Sequence, residues 1–165
     1  MFDISQPVIT PRLTLQIIQP DDNLFVLEIL NSPGWIQFIG DRKVRNSDDA
    51  AAYINKIITT PDLYYWIAKI TTTQQPIGII SYIKRNYLDH YDLGFALLPQ
   101  FQSHGYAFEA ANSILQKAKN DSPSSKILAT LLPTNNNSIN LLTRLGFQFE
   151  QPMDVDGELL HVYAI

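Results

Sequence analysis

The sequence predicts a mixed α+β domain, and three observations carry that prediction. Apolar runs of period two and apolar runs of period 3.6 are interleaved along the chain, about seven of the first kind and about four of the second. Most runs stop at Pro, Gly, Asn, Asp or Ser, residues that break helices and turn strands. The 165 residues contain no internal repeat, low-complexity tract or long linker, so residues 1–165 form a single domain able to bury a sizeable core.

Val8 to Ile18 is expected as a strand, since Leu13, Leu15 and Ile17 alternate with Arg12, Thr14 and Gln16. Pro20-Asp21-Asp22 opens a helix to about Leu30, because Pro suits a first turn and carboxylates suit the positive end of the helix dipole. Asn31-Ser32-Pro33-Gly34 breaks that helix, and Ser47-Asp48-Asp49 caps a second one, Ala50 to about Ile58. Leu63–Ile70, Ile77–Lys84 and Tyr91–Leu98 are strands, the first two joined by the short polar turn Thr71–Pro76. The helix from Gly105 to about Lys119 aligns Ala107, Ala110, Ala111, Ile114, Leu115 and Ala118 into a stripe suited to a sheet. After the loop Asp121–Ser125 come a buried strand, Lys126–Leu132, and a helix, Asn135–Leu145, with Asn135 as N-cap and Gly146 as its stop. Phe147–Glu150 and Leu159–Ile165 close the sheet as a hairpin.

Hydrophobic content of 45% and charged content of 17% describe an ordinary globule. No apolar run approaches the ~20 residues that span a bilayer, which argues against a membrane protein. The start, Met1-Phe2-Asp3-Ile4-Ser5-Gln6-Pro7, has neither the basic nor the apolar region of a secretion signal, so a cytoplasmic location is expected and the sequon Asn136-Asn137-Ser138 carries no role. Zero cysteines exclude disulfides, a thiol nucleophile and thiolate zinc sites. A net charge of −4 without a dense Lys/Arg run argues against a nucleic-acid partner and is compatible with a cationic amine. Asp89, His90 and Asp92 alternate faces on a strand start, so no metal is expected there. Without Gly-x-x-x-x-Gly-Lys-Ser/Thr there is no P-loop.

The most informative stretch is the junction Pro99 to Ala110, where a strand passes through Gln102-Ser103-His104-Gly105-Tyr106-Ala107 into a helix. A helix N-terminus carries unpaired N–H donors and the positive end of the dipole, and Gly105 and Ala107 let an anion approach the backbone. The pattern predicts a pyrophosphate cradle. His104 adds partial positive charge or simply faces solvent.

This loop resembles the Q/R-x-x-G-x-G/A signature of the GNAT acyltransferases, with Gln102, Gly105 and Ala107 in its defined positions. Asn135-Asn136-Asn137-Ser138 followed by Leu145-Gly146-Phe147 resembles the family's N-x-x-S…L-G-F ending. Thr10-Pro11-Arg12-Leu13-Thr14-Leu15, Ser32–Ile36 to Ile39–Asp41, and Gly78–Asp92 resemble the ribosomal-protein N-acetyltransferase (RimJ/RimL-type) branch.

The resemblance implies the GNAT fold, a central mostly antiparallel sheet splayed between the fourth strand (Tyr91–Leu98) and the fifth (Lys126–Leu132). It implies acetyl-CoA as cosubstrate and no metal. Backbone groups of Phe95, Ala96 and Leu97 would hold the pantetheine, with Asn135. Gln102, Ser103, His104, Gly105, Tyr106 and Ala107 would hold the phosphates. Asp92 matches the acidic residue that serves as general base; its plainer reading is a strand-edge carboxylate bonded to backbone. Many relatives carry a general-acid Tyr where this chain has Leu142, which leaves Ser138 to protonate or hydrogen-bond the leaving sulfur; its plainer reading, like that of Asn135, is helix capping. Glu109 balances the helix dipole, while Arg12, Trp35, Tyr64, Tyr65 and Trp66 line the acceptor pocket or serve as packing. The implied activity is direct acetyl transfer to a primary amine, a protein N-terminal α-amine in that branch. A small-molecule amine and a non-catalytic acyl-CoA-binding role are the alternatives, and a homodimer stays open.

Overall fold

Aromatic and β-branched residues dominate the strand-forming runs, and in the computed structural model, which describes residues 4–165, they build one eight-stranded sheet. The strands are β1 (Val8–Ile9), β2 (Leu13–Ile17), β3 (Leu63–Ile70), β4 (Pro76–Lys84), β5 (Tyr91–Leu97), β6 (Leu128–Leu131), β7 (Gln148–Val155) and β8 (Glu158–Ala164). Their order across the sheet is β1-β2-β3-β4-β5-β6-β8-β7. Every neighbouring pair is antiparallel except β5 and β6. The helices are α1 (Asn23–Leu30), α2 (Pro33–Phe38), α3 (Ser47–Thr59), α4 (Tyr106–Asp121) and α5 (Asn136–Arg144). Met1–Asp3, the first residues of the segment expected to carry no secretion signal, lie outside the described residues. Among the described residues no helix is long and apolar enough to cross a membrane.

Four local differences from the sequence reading have physical causes. The first strand is two strands: the chain turns at Thr10-Pro11-Arg12, and β1 folds back on β2 with Val8 opposite Leu15. Pro11 offers no N–H to a ladder, and the Thr10 hydroxyl oxygen accepts the Leu13 N–H at 2.9 Å to close the turn. Pro33 does not only break a helix; as the residue after Ser32 it starts α2, where its missing N–H costs nothing. Asn46, rather than Ser47, caps α3, its side-chain oxygen accepting the Asp49 N–H at 2.9 Å. The last hairpin is longer than expected, because β7 runs to Val155 as a largely exposed outer strand.

The two faces of the sheet carry separate cores. On one, Leu15, Trp66, Ile80 and Leu93 pack against Ala111, Ile114 and Leu115 of α4 and Leu142 of α5. On the other, Ile67 and Ile79 meet Val26 and Ile29 of α1 and Ile54 of α3. Each fully buried Leu or Ile contributes roughly 1.5–3 kcal/mol, so the sheet is clamped from both sides while its middle is opened. That opening lies between β5 and β6, which pair only at Asp92 opposite Leu128 and then diverge. The expected splay falls there.

Candidate active site

Past the vertex of the splay, β5 has a partner on one edge only among the described residues. The Leu98 N–H donates to the Ile77 carbonyl at 2.9 Å. Backbone groups of a strand alternate edges, so those of Ala96 also face β4, while Phe95 and Leu97 turn theirs toward β6. Of the expected trio, Phe95 and Leu97 therefore offer donors and acceptors to the gap, and Ala96 contributes a small side chain on the α1/α3 side. Leu97 is already engaged at one point: its carbonyl accepts Gln102 Nε2 at 3.2 Å, which staples the loop to the strand.

The loop itself begins with a tight turn at Pro99–Phe101, closed by the Gln102 N–H on the Pro99 carbonyl at 3.2 Å. Ser103 and Gly105 have φ of 63° and 80°, both left-handed, and Gly105 is the N-cap of α4. Left-handed residues alternating with ordinary ones turn successive N–H groups toward one concave side, a shape suited to anions. The N–H groups of Ser103, His104, Gly105, Tyr106 and Ala107 have no acceptor among the described residues. Gln102 to Gly105 are exposed, and Tyr106 and Ala107 are half-buried. His104 Nδ1 carries its proton, since it donates to the Gln102 carbonyl at 2.6 Å, and the ring stacks on Tyr106.

Arg12 lies against this loop. Its Nε donates to Glu109 at 2.6 Å, its backbone N–H to the same carboxylate at 2.9 Å, and Nη1 to the His104 carbonyl at 2.9 Å. Glu109 also accepts the Thr10 hydroxyl at 2.6 Å, so it does more than balance a dipole. Burial pushes its carboxyl upward, but the Thr10 and Arg12 bonds outweigh this and hold it below the ordinary range. A cavity of about 430 Å³ lies here, between the β1–β2 turn and the first turns of α4.

Asp92 is 2% exposed at the vertex. It pairs with Arg85 Nε, and one oxygen accepts the Thr130 N–H at 2.8 Å. The Thr130 hydroxyl adds contacts at 3.2 Å to both oxygens. Burial pushes the Asp92 carboxyl up, opposed by Arg85 and Thr130. The side chain therefore ties β5 to β6 where they begin to part. The Asn135 side-chain oxygen accepts the Ser138 N–H at 3.3 Å and caps α5, as the plainer reading expected. Ser138 is half-buried in the first turn, and its hydroxyl has no partner among the described residues. Leu142 is core, 1% exposed. Tyr64 and Trp66 pack beneath α4 and α5, and Trp35 packs on the opposite side, so these aromatics are framework. Tyr65 faces the α1/α3 side, where burial and the neighbouring Tyr53 push its hydroxyl up.

Sequence reasoning missed Arg85 and Thr130. Thr130 had a signal, a lone polar residue inside the apolar run Ile127 to Leu132. Arg85 had a fainter one, an opposite charge across a hairpin from Asp92.

Residues 12–148 match the family model described as an acetyltransferase (GNAT) domain. The chain belongs to the GNAT acetyltransferase family. A curated relative, the uncharacterized N-acetyltransferase YnaD of Bacillus subtilis (strain 168), is 27% identical over 144 residues, covering 87% of this chain and 83% of its own. A GNAT-family acetyltransferase from Bacillus anthracis superposes with a TM-score of 0.81 at 21% identity, over 97% of this chain and 98% of its own. RimL, the ribosomal L7/L12 α-N-protein acetyltransferase solved with coenzyme A, superposes with a TM-score of 0.83 at 13% identity, over 97% of both chains. At these identities the superpositions show the shared fold.

Proposed function

We propose that this GNAT domain transfers the acetyl group of acetyl-CoA to a primary amine, with the α-amine of a protein N-terminus as acceptor. The observation that carries the reading is the β5–β6 gap leading into a loop of unpaired N–H groups at the start of α4. A pantetheine arm carries amides that the free edge of β5 would satisfy as a neighbouring strand does, through Phe95 and Leu97. A pyrophosphate would meet the N–H groups of Ser103 to Ala107 and the positive end of α4. Gln102 fixes the loop on Leu97, and Asn135 caps the start of α5.

Acetyl-CoA supplies an activated thioester. The acceptor ammonium first gives one proton to solvent; attack by the amine nitrogen on the thioester carbonyl carbon then forms the C–N bond and breaks the C–S bond, while a second proton passes from nitrogen to sulfur. A backbone N–H on the open edge of β5 suits the oxygen on which negative charge gathers. Ser138 is the hydroxyl suited to the departing sulfur. Asp92 is assigned to holding the vertex, with the amine proton leaving through solvent, because its carboxylate is committed to Arg85 and Thr130. The acceptor class follows the likeness to RimL, an α-N-protein acetyltransferase.

The test is calorimetric titration of acetyl-CoA and of ATP, followed by mass spectrometry of peptides with varied N-termini and of spermidine after incubation with acetyl-CoA. Micromolar binding of acetyl-CoA alone, with peptide acetylation, is expected. Acetylation of spermidine and not of peptides would replace the acceptor class, and no acetyl-CoA binding would sink the enzyme reading.

A further inference from the structure

We propose that Arg12 is a positioning residue that sets the direction of the Gly105 N–H in the phosphate loop; this rests on the acetyl-CoA reading above. In a trans peptide unit the C=O and the N–H point in opposite directions. Arg12 Nη1 donates to the His104 carbonyl at 2.9 Å, so the N–H of the same unit, that of Gly105, is turned to the other side, where it meets no acceptor among the described residues. His104 Nδ1 does the same two peptide units earlier, holding the Gln102 carbonyl at 2.6 Å and turning out the Ser103 N–H. Two carbonyls tied back leave two N–H groups on the concave side.

The brace is itself braced. Glu109 takes Arg12 Nε at 2.6 Å, Thr10 takes part through its hydroxyl at 2.6 Å, and the guanidinium lies 4.5 Å from the centre of the Tyr106 ring. A planar guanidinium serves carboxylate and carbonyl in a fixed fork while its face lies on the ring, whereas a lysine ammonium is a compact point charge on a flexible stem and holds no such direction. The need for a brace follows from Gly105. Glycine tolerates both signs of φ, so nothing intrinsic stops this unit from flipping and aiming a carbonyl at the anion. The β1–β2 turn, remote in sequence, is thereby the outer wall of the phosphate loop.

The experiment compares wild type with Arg12→Lys, Arg12→Ala and Glu109→Gln. Coenzyme A and pantetheine, which lacks the phosphates, are each titrated calorimetrically, with the Gly105 amide followed in 15N–1H spectra. Coenzyme A affinity is expected to fall roughly 10- to 100-fold in both Arg12 variants, the span of one misdirected charge-assisted hydrogen bond, with pantetheine binding unchanged. The Gly105 amide should shift on addition of coenzyme A in wild type and not in Arg12→Ala. Arg12→Lys keeps the charge, so it reports on direction even where Arg12→Ala does not fold. Undiminished coenzyme A affinity in the Arg12 variants, or equal losses for pantetheine, overturns the role of Arg12. Wild type that binds no coenzyme A overturns the acetyl-CoA reading first, and this inference with it.

Discussion

Replacing Arg85 with Met keeps most of the side-chain volume and leaves the Asp92 carboxylate, 2% exposed, with Thr130 alone. Removing one partner of a buried pair costs about 3–5 kcal/mol; the Arg85 side chain is 31% exposed, which favours the lower end. Protonation sets an upper bound. A carboxyl driven to its neutral form costs about 1.4 kcal/mol per pH unit above its ordinary value of 3.8, so the penalty cannot exceed about 4.4 kcal/mol at pH 7 or about 1.6 kcal/mol at pH 5. The sign follows from the direction of the shift. Burial raises the folded-state value of Asp92, so its contribution to stability is fully present below the ordinary value and is lost as pH climbs through the folded one. Arg85→Met removes an opposing influence and exaggerates that loss. The melting temperature at pH 7 should fall by roughly 6–16 °C, taking 2–4 °C per kcal/mol for a domain of this size. The gap to wild type should close as the buffer is taken to pH 5, and the double variant Arg85→Met/Asp92→Asn should recover much of the loss. Coenzyme A affinity should fall with stability, because the vertex loosens. A pH-independent difference, or one under about 1 kcal/mol, would refute the pin. Undiminished coenzyme A affinity with a shifted pH–rate profile would return Asp92 to the role of base.

Gly105→Val puts a β-branched residue at φ 80° with its Cβ about 3.3 Å from Arg12 Nη2, the yielding end of a side chain. Stability should drop by about 1–2 kcal/mol in denaturant titrations and coenzyme A affinity at least tenfold; unchanged affinity in the folded variant removes the cradle. For Glu109, held below the ordinary value of 4.5, the stabilisation is present above that value and lost as pH falls through the lower folded one. The urea midpoints of wild type and Glu109→Gln should therefore differ most above pH 5 and converge in acid, whereas a constant difference would detach the carboxylate from the Arg12 network.

Legibility in this sequence follows the range of the contacts involved. β3, β4 and β5 and the stripe of α4 were readable because period is a local property, and Gly105 was readable because a left-handed N-cap restricts the residue type in place. The split of the first strand was readable in principle, since Pro11 sits inside an alternating run where a ladder needs an N–H. What closes over distance was not. Arg12 meets Glu109 across 97 residues, and Asp92 meets Thr130 across 38, and neither spacing leaves a period. These are also the contacts that organise the site. Arg85 and Asp92 close the end of β5 where the splay begins, and Arg12 and Glu109 lie beyond its other end, at the loop into α4. Backbone groups that face a ligand can be supplied by almost any sequence in the right conformation, so the burden of specificity passes to the side chains that impose that conformation. The motif therefore marks the loop and not its braces, and substitutions at Arg12 or Arg85 are where a GNAT domain of this shape should hold its cosubstrate less tightly with every direct contact residue in place.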